Sequence, residues 1–124
     1  MPKASKEQAA EHFEAEGFEG HYQAVGGYTV GFERYTADAD LAPLFKGLPD
    51  DRCQSSHWGV VLKGKLAYVT AEGEEEITAG QAYYVGPGHT PKIYAGTEVV
   101  EFSPTDELAQ TLEVVSKNME AMGS

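Results

Sequence analysis

From residue 20 to residue 102 the apolar residues recur in short runs with period two, and glycines punctuate the gaps between the runs. That pattern admits few folds. Successive side chains on a strand point to opposite faces, so alternation over a few residues marks half-buried strands and Gly marks the turns. The runs predict strands at His21–Val25, Tyr28–Tyr35, His57–Leu62, Lys65–Thr70, Glu74–Ile77, Ala82–Val85, Lys92–Tyr94 and Glu98–Phe102. Lys63-Gly64, Glu72-Gly73 and Ala95-Gly96 have the form of tight hairpin turns. So many short strands in so short a chain favour a closed β-barrel or jelly roll, because closure removes unpaired edges.

Two helices are expected to flank this all-β middle. The first covers about residues 6–16, with Ser5 and Gln8 at capping-box spacing and Gly17 as its stop. The second covers about residues 104–122, with Ser103 as its cap and Pro104 in the first helical position. Leu108, Leu112, Val115, Met119 and Met122 give it one apolar stripe. The 124 residues have room for one hydrophobic core, so the whole chain, residues 1–124, is read as one domain.

Nine Lys and Arg stand against twenty Asp and Glu, a net charge of −11. A surface that negative repels phosphate backbones and anionic lipid, which argues against nucleic-acid and membrane partners. The first residues lack the apolar stretch of a signal peptide, and the single Cys53 leaves no internal disulfide. Both features fit a cytoplasmic protein.

Chemistry concentrates in two segments, Asp51 to Gly64 and Gly80 to Pro91. Their VVLKGK and GQAYYVGPG stretches resemble the two motifs of the cupin family, and the resemblance extends roughly from Asp51 to Phe102. It implies a cupin-like β-barrel of jelly-roll type that binds a small molecule, and pairing into a homodimer. Counted back from Gly64, His57 takes the family's glutamate position, Cys53 the second histidine and Asp51 the first. Pro91 falls where the third histidine belongs, but His89 lies two residues earlier and so on the same face of a strand. The usual three-histidine, one-glutamate set is therefore absent.

Cys53, His57 and His89 are the candidate metal ligands. On one continuous strand Cys53 and His57 would stand ~13 Å apart. They can share an ion only if Gln54-Ser55-Ser56 turns the chain between them. A thiolate with two imidazoles suits Zn, Fe, Ni or Cu. Each residue also has an ordinary structural reading. Cys53 can be a small buried hydrophobe, His57 a core histidine bonded to a carbonyl, and His89 a surface residue in its turn. Asp51, after Pro49-Asp50, reads as a turn residue, and His12 and His21 lie outside both motifs.

Two functions follow. One is a metal-dependent enzyme of dioxygenase, isomerase or lyase type, with Glu101 or a tyrosine such as Tyr84 moving the proton. The other is a metal-free cupin that binds a small ligand as a sensor or carrier. A barrel packed solid and used only as a scaffold is a third possibility.

Overall fold

The computed structural model describes residues 2–123, and of Met122 and Gly123 the backbone alone. Ten strands precede one helix: β1 (Glu11–Ala15), β2 (Phe18–Val25), β3 (Tyr28–Tyr35), β4 (Ala39–Asp40), β5 (His57–Lys63), β6 (Lys65–Thr70), β7 (Gly73–Thr78), β8 (Ala82–Val85), β9 (Thr90–Ile93), β10 (Thr97–Pro104) and α1 (Thr105–Gly123). They form two antiparallel sheets, ordered β1-β2-β3-β10-β5-β8 and β4-β9-β6-β7. The jelly roll expected from the sequence is present, as two facing sheets whose ladders do not join into one closed ring. Val61, Leu66, Ile93 and Val99 fill the space between them. No helix among the described residues is long and apolar enough to cross a membrane.

Two of the three expected hairpins are something else. Glu72-Gly73 does lie at the β6–β7 hairpin. Gly64 and Gly96, however, stand where the chain crosses from one sheet to the other, since β5 does not pair with β6, nor β9 with β10. Thr97, fully buried, staples the two crossings. Its Oγ1 accepts from the Lys65 amide at 3.2 Å and lies 2.7 and 2.6 Å from the Lys65 and Tyr94 carbonyls. A local dipeptide cannot distinguish a hairpin from a corner, because only the partner strands differ.

The expected N-terminal helix is absent. Ser5–Gln8 makes a single turn and the chain then becomes β1, paired along its length with β2. A short helix with only Ala9 and Phe13 on its apolar face is marginal in water, whereas the edge of β2 offers a ladder of backbone bonds. The C-terminal helix is present but its buried face is turned by one residue. Thr111 and Val115 are buried and Asn118 partly so, while Leu112 and Met119 are exposed. Asn118 donates to the carbonyls of Leu44 and Lys46, both at 2.8 Å, tying α1 to the 3₁₀ turn Ala42–Phe45. Ser103 does not cap the helix, because it belongs to β10 and turns its hydroxyl inward to His57.

The Gly64 corner generates a prediction. Its φ is 73°, and a Cβ there would stand 2.8 Å from the Thr97 Cα. Gly80 has φ 90° but open space around it. Gly80→Ala should therefore cost about 1 kcal/mol of backbone strain, and Gly64→Ala about 2 kcal/mol or more. Urea unfolding of the two variants checks this, and equal losses would contradict the stapled corner.

Candidate metal centre

Cys53 and His89 meet because their backbones do. Cys53 N donates to the His89 carbonyl at 2.8 Å, and Gly88 N donates to the Cys53 carbonyl at 2.7 Å. This places the two motif turns at the same end of the jelly roll, as the motifs require. Gln54-Ser55-Ser56 turns the chain so that His57 opens β5 facing inward, with the Ser56 amide donating to Glu107 of α1 at 2.9 Å. That end is capped rather than open: Cys53 packs with Phe45 and with Val115 of α1.

The three side chains converge. All are buried, and one donor atom from each lies within 4.8 Å of the others. Cys53 Sγ stands 3.5 Å from His57 Nε2 and 3.9 Å from Thr111 Oγ1. The His57 and His89 rings meet edge to face at 4.9 Å.

The remaining ring nitrogens are committed elsewhere. His89 Nδ1 lies 2.7 Å from the Gly86 carbonyl, which can only accept, so Nδ1 carries the proton. His57 Nδ1 lies 2.6 Å from Ser103 Oγ and 3.4 Å from Glu101 Oε1. The carboxylate favours a donor there, and we assign the proton to Nδ1. Nε2 is then the lone-pair nitrogen that each histidine has to offer.

Metal-binding histidines nearly always hold their other ring N–H in a hydrogen bond to a carbonyl, carboxylate or similar acceptor; His89 does so to the Gly86 carbonyl, and His57 has the Ser103 hydroxyl in that place. An ion with a sulfur ligand at about 2.3 Å and a nitrogen ligand at about 2.0–2.1 Å holds them about 3.5 Å apart at the tetrahedral angle. The Cys53–His57 separation has that value. The donor set fits a divalent transition metal. The same contact also serves as an S–H···N hydrogen bond, and burial pushes the Cys53 thiol up to about 11.

Glu101 enters the interior from β10. It accepts from Tyr68 at 2.7 Å and, through a shorter hydrogen bond, from Tyr83. Burial and the Glu101 charge hold both phenols well above their ordinary range. Tyr84 is not there. It is 58% exposed on the outer face, its ring 5.0 Å from Trp58, and Tyr83 takes the inward place. His57 and Val85 are register partners, so the residue two before Val85 shares their face. Gly59 opposite Tyr83 is the matching vacancy, since a Cβ there would stand 2.6 Å from the Tyr83 hydroxyl.

The sequence reading also passed over Glu33, which accepts from Tyr22 at 2.6 Å. Burial first, then the Glu101 charge, raises its carboxyl to about 7. Asp51 stays out of the site: its φ is 56°, and its carboxylate accepts from the Gly47 amide at 3.0 Å.

No family model matches the chain, and no curated protein does. Among solved structures it is similar to a Rhizobium leguminosarum bv. viciae protein of unknown function, with a TM-score of 0.60 and 18% identity over 83% of this chain and 95% of that one. A cupin-superfamily sugar phosphate isomerase from Silicibacter pomeroyi is similar with a TM-score of 0.56 and 14% identity, over 83% of this chain and 75% of that one. This chain has the cupin fold. An ectoine synthase from P. lautus gives a TM-score of 0.57 at 10% identity, over 84% of this chain and 78% of its own. Cupin neighbours thus include both enzymes and a protein of unknown function, and identities this low extend to fold alone.

Two interior groups give opposite pH dependences in the metal-free protein. Burial, the largest cause, lowers His89 from 6.5 to about 4. Between those values the unfolded chain binds the proton and the folded one does not, so stability falls as pH falls. Glu33, raised from 4.5 to about 7, keeps its proton longer when folded, so its contribution is lost as pH rises across that window. Each is on the order of 3 kcal/mol at most. Glu33→Gln should therefore leave stability rising with pH between about 4 and 6.5, and His89→Gln should leave it falling between about 4.5 and 7. Denaturant unfolding against pH reads both slopes, and parallel profiles in the two variants would contradict the assignments.

Proposed function

We propose that this cupin holds a divalent transition metal, zinc, iron, nickel or copper, through Cys53, His57 and His89, and acts on a small organic molecule. The observation that carries this reading is the convergence of three buried donor side chains, with one atom of each within 4.8 Å of the others. With Nδ1 of each histidine engaged at Gly86 and Ser103, one sulfur and two Nε2 nitrogens are left for a single ion. When bound, the metal supplies Lewis-acid polarisation of a substrate oxygen.

The chain's own residues handle the proton. Glu101 takes it at the oxygen facing Tyr68 and Tyr83, and their hydroxyls turn to hold the carboxyl in either state. Tyr83 also borders a shallow surface cleft between β7 and β8 lined by Glu75, Gln81 and Tyr84. A proton-moving carboxylate favours isomerase or lyase chemistry over dioxygenation. Freshly purified, untagged protein should contain at least one equivalent of metal. Cys53→Ser, His57→Ala and His89→Ala should each lower the content by one equivalent, while Glu101→Gln should keep it. Metal absent from the wild-type protein, or a content unchanged in all three ligand variants, would overturn the reading.

The alternative is a metal-free cupin that binds a small ligand without catalysis. It is favoured by one observation: among the described residues, no buried side-chain N or O atom lacks a hydrogen-bond partner. Metal content separates the two readings.

A second copy of the chain is the partner we assign to the outer face of the six-stranded sheet. Trp58, Leu62, Tyr84 and Phe102 are 40%, 54%, 58% and 42% exposed there, and Tyr28 stands edge-on to Trp58 at 5.8 Å. These side chains carry no charge, so an identical patch matches them across a two-fold axis despite the acidic surface elsewhere. Sedimentation at micromolar concentration should show a dimer that Phe102→Lys dissociates. A wild-type monomer would contradict this.

A further inference from the structure

β1 is exposed along its whole length and pairs only with β2. It contributes little to the core, so apolar burial does little to hold it. Its sequence is nevertheless patterned. His12-Phe13-Glu14 runs into the turn and Glu19-Gly20-His21 runs out of it, a His-x-Glu followed by a Glu-x-His. The antiparallel register sets His12 opposite His21 and Glu14 opposite Glu19. Parity puts all four side chains on one face, the solvent side of the six-stranded sheet.

The two imidazoles stack at 4.4 Å with their planes 9° apart. His12 Nε2 lies 3.1 Å from Glu14, and His21 Nε2 shares a hydrogen bond with Glu19. Donor atoms of His12, Glu19 and His21 all lie within 4.8 Å of one another. Lys6 and Arg34 approach the Glu19 carboxylate at 3.7 and 3.9 Å and neutralise part of its charge.

Glu14 and Glu19 stand directly opposite, where like charges on paired strands repel, and Lys6 and Arg34 offset that only in part. A shared cation would remove the rest of that repulsion and crosslink the two strands. We propose that His12, Glu19 and His21, with Glu14 beside them, form a surface site for a divalent transition metal that clips β1 to β2. Two imidazoles with carboxylates match Zn²⁺, whereas Mg²⁺ and Ca²⁺ require oxygen ligands in larger number. The site shares no residue with Cys53, His57 and His89, so it stands whether or not an ion binds there.

Calorimetric titration with Zn²⁺ at neutral pH tests it, using metal-stripped wild type, a His12→Ala/His21→Ala variant and a His57→Ala/His89→Ala variant. Limited proteolysis at the Glu16-Gly17 turn, with and without Zn²⁺, gives a second readout. The β1–β2 clip predicts that the His12/His21 variant loses one class of site, or binds it more weakly by over about tenfold, the least that loss of even a supporting partner costs. The His57/His89 variant should keep that class, Zn²⁺ should slow cleavage only where His12 and His21 are present, and Mg²⁺ should do neither. Zinc binding and cleavage rates unchanged by the His12/His21 substitutions would overturn the site. So would an absence of zinc binding in the wild-type protein.

Discussion

One half-buried carboxylate organises the interior. Glu101 reaches from β10 between the sheets, where an ion without partners costs several kcal/mol. Its partners come from both sheets: Tyr68 from β6, Tyr83 from β8 and His57 from β5. Tyr83 reaches it only because position 59 has no side chain, and Tyr22 lies across Gly20 and Gly31 in the same way. The glycines within strands are therefore vacancies for phenols rather than weaknesses in the sheet. The carboxylate also lies 3.4 Å from His57 Nδ1, beside the Ser103 hydroxyl at 2.6 Å, and a proton on that nitrogen leaves the Nε2 lone pair facing Cys53.

The thiol and the two histidines form a set that is coherent in two states. Without an ion, burial keeps Cys53 protonated and its S–H faces the His57 lone pair. An ion, if bound, would be held by the same atoms, and it would keep Cys53 as the thiolate, because a bound cation deprotonates a coordinating thiol outright. The low value of His89 serves both states, since a neutral imidazole is required to accept or to coordinate. The interior can thus be fully hydrogen-bonded while keeping three candidate donor atoms within 4.8 Å of one another.

Much of this was legible in the sequence because strand alternation and motif spacing are local. The strands from β5 to β10 and the Cys53–His57 turn follow from a few adjacent residues. What failed depended on partners that the sequence does not show. Lys63-Gly64 reads as a hairpin until β6 is seen in the other sheet. Ser103 reads as a helix cap until His57 claims its hydroxyl. Tyr83 and Tyr84 differ only in parity, and that parity is set by the register of β8 on β5. His12 and His21 were hidden by reading residues 6–16 as a helix, on which the His-x-Glu and Glu-x-His repeat has no meaning. The repeat around Gly17 was the available signal, and it is a hairpin signal.

The central claim is that Cys53, His57 and His89 surround one ion. X-ray absorption at the zinc edge tests it most directly, on His12→Ala/His21→Ala protein carrying a single equivalent of Zn²⁺. One sulfur at about 2.3 Å with nitrogens at about 2.0–2.1 Å is the shell these three residues predict. A shell of nitrogen and oxygen alone would place the metal away from Cys53 and contradict the account.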